Sequence, residues 1–275
     1  MMDKKALKSN EGIGKVLSEI VVKVLEKLYE ITSHIDWSKI NDPLAELGRV
    51  FKETGDDLIR FKSITVELGY PPHLDMSIPI IRKIVKDYDE YGKEYVSNYI
   101  DEIMFEFYNE EYMCEIQKKW YRKRVLKPIL PILDNVIKAH TQQMYYSSVS
   151  TLLPQLEGLI AKTFRHTGEL KGNQLKTYLK HLLIDKDVEK RAYSFDEAIH
   201  KYYKTYILVR FKHGDEIVSD ISRHAILHGG DVQYGSKKNS LKLILLFDYL
   251  NDCLSTVNES VIEEAKLELM RKCNK

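Results

Sequence analysis

The stretch Asn239-Ser240-Leu241-Lys242-Leu243-Ile244-Leu245-Leu246-Phe247 decides the fold class. Asn239 and Ser240 are residue types whose side-chain oxygens cap helix N-termini. The run behind them is apolar on nearly every position, as expected of a helix packed on several sides. Working outward, the same helical character recurs along most of the chain. Ile13, Val16, Leu17, Ile20, Val21, Val24, Leu25 and Leu28 fall at three-and-four spacing, which predicts a long amphipathic helix over about 13–32. Asp42-Pro43 reads as a helix start, with a proline at the first helical position. That helix is expected to end near Gly55, with another over 56–68, before Gly69-Tyr70-Pro71-Pro72 breaks the chain.

From Met76 to Trp120 the pattern is helical again, punctuated at Gly92, and Pro128 and Pro131 mark a turn or a helix entry. Further helices are expected over 142–165 (interrupted at Pro154), 173–184, 195–212 and 216–228, the last stopped by Gly229-Gly230, and a charged helix closes the chain. Strand alternation, repeats and low-complexity tracts are absent from the sequence. The expectation is an all-α helical bundle. A composition shift near residue 125 divides it into a helical N-terminal region, 1–125, and a C-terminal helical domain, 126–275.

Composition narrows the function classes. The 275 residues are 44% hydrophobic and 30% charged, too apolar for a disordered chain. A formal net charge of +1 gives no global field for nucleic acid, so any such contact is local. The most basic short run, Trp120-Tyr121-Arg122-Lys123-Arg124, reads as a solvated helix face. Cys114, Cys253 and Cys273 are scattered and odd in number, fitting neither a disulfide framework nor zinc-ligand spacing. The first ten residues are polar and no run of about 18 apolar residues occurs, so a soluble, cytoplasmic protein without membrane contact is expected.

Phosphate-cradling glycine loops, dinucleotide fingerprints and nucleophile elbows are missing, which removes the usual ATPase, dehydrogenase and hydrolase readings. What remains is Ser222-Arg223-His224-Ala225-Ile226-Leu227-His228-Gly229, at the end of an amphipathic segment stopped by a glycine pair. An arginine fork matches two phosphate oxygens, and a histidine moves protons near neutral pH. Three bland assignments stand beside this one. His228 could be a core histidine on the face of Ile217, Ile221 and Ala225; Arg223 could pair with Asp220; Glu157 could be an exposed helix carboxylate rather than a group that orients Arg223. A metal set of Asp220, His224 and His228 would stretch about 12 Å along one straight helix, too far for three ligands to share an ion.

With the motif Arg223-x4-His228 and the polar His224 after the arginine, the chain resembles the HEPN superfamily, all-α ribonucleases of toxin–antitoxin and antiphage systems. Tyr234-Gly235-Ser236, the segment 239–250 and Leu152-Leu153-Pro154-Gln155-Leu156-Glu157-Gly158 carry the likeness further, over about 141–254. The resemblance implies a metal-independent endoribonuclease without cofactors, with Arg223, His228 and His224 as catalytic residues; Glu157, a carboxylate in an otherwise apolar stretch, is the candidate for their support. The resemblance further implies a homodimer that acts on RNA in stress response or phage defence, with an antitoxin or other defence partner. Some toxins of the superfamily carry a modifiable tyrosine two residues after the histidine; here that position is Gly230. Dimerisation also has a geometric motive, since side chains five positions apart on one helix diverge by about 140°. The alternative is a non-catalytic helical interaction or scaffold module of the same architecture.

Overall fold

The computed structural model describes residues 43–73, 75–184 and 195–273. Among them the protein is helical throughout, with no strand, so the all-α expectation holds. The helix expected over 13–32 lies outside the described residues.

Eleven α-helices follow one another among the described residues: α1 (Pro43–Glu67), α2 (Ile78–Ser97), α3 (Ile100–Phe107), α4 (Glu110–Arg122), α5 (Leu130–Thr141), α6 (Tyr145–Thr163), α7 (Gly172–Leu183), α8 (Asp196–Tyr202), α9 (Arg223–Leu227), α10 (Lys237–Ser255) and α11 (Glu259–Cys273). The apolar positions that predicted them form one continuous core running from Leu58 in α1 to Ala265 in α11. No described helix is long and apolar enough to cross a membrane.

Several boundaries differ from the sequence reading. Gly55 does not end a helix, because α1 runs through it to Glu67. A mid-helix glycine costs only about 1 kcal/mol, which burial of Leu58, Phe61 and Ile64 offsets. The 76–120 region is three helices. Gly92 makes the expected punctuation inside α2 with φ 83°, and Asn109 opens α4 by accepting a hydrogen bond from the Tyr112 amide (3.1 Å). Pro128 and Pro131 sit in a 3₁₀ turn (Arg124–Ile129) and the first turn of α5, whereas Pro154 lies within a continuous α6.

The segment 195–212 is helical only to Tyr202. It then widens into a π turn, Tyr203–Ile207, in which the Leu208 amide donates to the Tyr203 carbonyl (3.0 Å). Of 216–228, only Arg223–Leu227 is helical. Ser219 and Ser222 donate instead to the Tyr206 and Val209 carbonyls (2.8 and 3.4 Å), a local competition that diverts the backbone from helix. α10 starts earlier than expected: Ser236 is its cap, accepting from the Asn239 amide (3.1 Å).

α10 is the axis of the bundle. Residues from Asn239 to Asp248 are all buried, and α10 packs chiefly on α6, which in turn packs on α5. Burial on all sides leaves its polar residues needing partners. Ser240 donates to Ser148 of α6 and lies 2.7 Å from His140 Nδ1 of α5, joining three helices by one hydroxyl. Asp248, 1% exposed, accepts from Trp120 Nε1 (2.9 Å) and Lys119 Nζ (2.6 Å) of α4, and His73 Nε2 is 3.3 Å away. Burial opposes its charge, but the His73 hydrogen bond and the Lys119 ammonium hold its carboxyl well below the usual range.

Two outcomes follow for stability. Asp248→Ala strands the buried Trp120 indole without its acceptor and leaves Lys119 with Asp252 alone, and should cost roughly 3–5 kcal/mol in urea unfolding. Burial, reinforced by the Lys237 charge, pushes His140 down to about 4. The folded state therefore keeps His140 neutral while the unfolded chain protonates it near pH 6.5. The resulting stability is present above that pH and is lost as pH falls toward the folded value. Between pH 6.5 and 5 this amounts to about 2 kcal/mol. His140→Gln should flatten the dependence of the urea midpoint on pH across that window.

Candidate functional site

α9 is a single short turn of helix held at both ends. Ser222 caps its start, with the Ala225 amide donating to Ser222 Oγ (3.4 Å) and the Ile226 amide to the Ser222 carbonyl (3.0 Å). At the other end Gly229 takes φ 71°, the left-handed conformation that glycine adopts without penalty. The Gly229 amide then donates to Ile226 O (3.1 Å) and the Gly230 amide to Ala225 O (2.7 Å), the paired bonds of a Schellman stop. His228 is thereby fixed as the C-cap residue. Buried Ile221, Ala225 and Ile226 seat this turn against the bundle, and α9 packs on α6.

The four residues singled out from the sequence come together here. Glu157 of α6 places Oε1 2.5 Å from Arg223 Nε, with both side chains largely covered (15% and 25% exposed). The Nε–H has no acceptor in line with it, so the contact is charge against charge. Nothing among the described residues bonds the two Nη groups, which leaves the outer edge of the guanidinium for a ligand. The His224 and His228 rings stack with centroids 5.4 Å apart at 20°. His224 is half-buried and His228 exposed. Burial lowers the His224 pKa first, and the neighbouring Arg223 and His228 lower it further.

The competing assignments resolve in turn. His228 faces solvent, so it is not a core histidine. Arg223 pairs with Glu157 rather than Asp220, which lies 3.1 Å from the buried Lys242 Nζ. That partner turns Asp220 to α10, and no group of three His, Cys, Asp or Glu with metal-binding arrangement occurs among the described residues. Glu157 is no exposed carboxylate. Burial raises its pKa, with Arg223 pulling the other way.

Three further features escaped the sequence reading. The Tyr203 hydroxyl is fully buried without a hydrogen-bond partner. Its pKa is raised by burial and by Glu157 and opposed by Arg223, which puts it in the neighbourhood of the ion pair. Two aromatic rings also clamp the loop that follows His228. The Phe211 ring lies on Gly230, where an added Cβ would come within 2.0 Å of it, and the Tyr146 ring lies on Gly235, at 2.3 Å. Tyr146 also donates its hydroxyl to the Val232 carbonyl (3.1 Å) and meets Tyr234 edge-on at 5.1 Å. The glycines after His228 were the one signal in the sequence for such close approach.

No family model matches the chain, and comparisons with curated proteins and with solved structures give no match either.

Gly230→Ala should drive the Phe211 ring off its seat and destabilise the fold by roughly 1–3 kcal/mol. Combining it with Phe211→Ala should cost less than the sum of the two single changes, because the clash is then gone; thermal unfolding of the four proteins measures this coupling.

Proposed function

We propose that this protein is a metal-independent endoribonuclease of HEPN type, working on RNA as a homodimer. The observation that carries the reading is the Arg223 fork, oriented by Glu157 with its outer nitrogens open, beside the stacked and accessible His224 and His228.

RNA holds its own nucleophile. In the proposed reaction His228 takes the proton of a 2′-hydroxyl, and that oxygen bonds to the adjacent phosphorus. The bond from phosphorus to the 5′-oxygen then breaks. A second imidazole returns a proton to the leaving oxygen, giving a 2′,3′-cyclic phosphate and a 5′-hydroxyl. Arg223 balances the charge that builds on the phosphate oxygens. A second copy facing α9 would supply that second imidazole. The exposed aliphatic side chains around the motif, Leu227 (40% exposed), Val232 (71%) and Val218 (78%), suit such an isologous contact. A role in bacterial stress response or phage defence, with an antitoxin or other defence partner, rests on the resemblance of the motif alone. One observation favours the alternative scaffold role: the Glu157–Arg223 pair joins α6 to α9 and is mostly covered.

Purified protein should cut single-stranded RNA in excess EDTA, leave a 2′,3′-cyclic phosphate, and spare DNA, which lacks the attacking hydroxyl. His228→Ala should lose about 10²–10⁴-fold in rate without lowering the melting temperature, since the side chain is exposed. Arg223→Ala should lose activity comparably and melt somewhat earlier. Intact RNA, together with a marked loss of stability in both variants, would support the scaffold role instead.

A further inference from the structure

The segment after the π turn of α8 forms a strap along α9. Val209 meets the N-terminal end of α9, its carbonyl accepting from Ser222 Oγ (3.4 Å). Two residues later the Phe211 ring sits on Gly230, just past the C-terminal end. A five-residue helix is about 7.5 Å long, and two residues of extended chain advance about 6.6 Å. Arg210 therefore lies alongside the turn that carries Arg223 and His228.

The strap is basic and aromatic. Arg210 and Lys212 are exposed, and neither side chain has an ion-pair or hydrogen-bond partner among the described residues. They contrast with other cations near this end of the bundle, where Lys238 is bound to Asp101 and Lys242 to Asp220. The exposed His213 ring meets Phe211 edge-on at 5.2 Å. Gly214, at φ 91°, turns the chain, with the Asp215 amide closing on the Lys212 carbonyl (3.1 Å), before the acidic pair Asp215 and Glu216 follows. Two free cations beside an exposed imidazole set edge-on to Phe211, next to a site that would hold one phosphate, are the elements of a single-strand track. Cations take successive phosphates, and rings take bases without regard to sequence.

We propose that residues 209–213 are the arm on which single-stranded RNA lies as it enters the site, with Arg210 and Lys212 binding phosphates next to the one held by Arg223. This rests on the ribonuclease reading above and adds its substrate track. Its test is binding of a fluorescent, fully 2′-O-methylated oligonucleotide, which has no free 2′-hydroxyl and so cannot be cut, measured by anisotropy over a range of salt concentrations.

Wild type should bind it. Arg210→Ala/Lys212→Ala should raise Kd about tenfold and reduce the slope of log K against log salt by about 1.4, the value for two single-strand phosphate contacts. The charge-keeping pair Arg210→Lys/Lys212→Arg should bind nearly as wild type does, which a purely structural role for the strap would not predict. In cleavage of ordinary RNA, the loss from the alanine pair should appear in KM. If wild type cuts RNA but the alanine pair binds with unchanged slope, the strap proposal falls and the ribonuclease reading stands. If strap-dependent binding is present but no RNA is cut, the strap stands and the ribonuclease reading falls. Wild type that binds no RNA overturns both.

Discussion

A charged carboxylate in the middle of the most buried helix is the constraint on which this structure turns. Asp248 sits on α10, within a run buried on all sides, and has no access to water. It is tolerable there only because α4 brings Trp120 and Lys119 to its two oxygens and the chain beyond α1 brings His73. A buried charge of this kind adds little net stability over an apolar group of similar shape, but losing any one partner is costly. It therefore fixes how α4 and the 70–73 segment meet α10. Lys242, six residues earlier on α10, repeats the logic toward the other end: it is 3% exposed and answered by Asp220. That bond ties down the irregular chain just ahead of Ser222. The position of α9 is thus set in part by a neutralisation problem inside its neighbour.

The fold class was legible because apolar periodicity reports burial directly. α6, α7 and the closing helix α11 appear close to where three-and-four spacing put them, and α10 does so apart from its start, which is capped by Ser236 instead of Asn239 and Ser240; α5 had only the turn-or-entry signal of Pro128 and Pro131. The failures share a cause: each was decided by contacts that spacing does not record. Gly55 stays helical because its neighbours Leu58 and Phe61 face the core. The helix expected over 216–228 is missing ahead of Arg223 because Ser219 and Ser222 find carbonyls of a different segment, 206 and 209. For the site, the sequence could mark Arg223, His224 and His228 because they share one short stretch. Glu157, far away in sequence on α6, stood out only as a carboxylate in an otherwise apolar stretch, with nothing in the spacing to choose between orienting Arg223 and facing solvent. Tyr203 and Phe211 carry no periodic or motif signal. Their places follow from a widened helical turn and from glycines that accept a ring.

The ion pair and the Schellman stop share the work of presenting the motif. Glu157 orients the guanidinium from α6, while Gly229 and Gly230 close the backbone behind His228 through Ile226 and Ala225 carbonyls. Side chains supported on both sides in this way lose little freedom when a ligand arrives, which is what the proposed ribonuclease chemistry would require of them.

The π turn at Tyr203–Ile207 has an evolutionary side. Such a turn holds one residue more than an α-turn in the same rise, as a single-residue insertion into a regular helix would leave it. The extra residue rotates everything downstream by about 100° relative to an unbroken helix. Both the inward position of Tyr203 and the direction in which the 209–213 strap departs depend on that phase. Winding the same residues as regular α-helix would swing the strap away by that angle, so an imperfect turn is the condition for this surface to exist at the present chain length. Sequence drift in this region is therefore limited by the turn more than by chain length: a one-residue deletion within it leaves an ordinary α-turn over the same rise, whereas substitutions that favour regular α-helix at the present length would reset the phase.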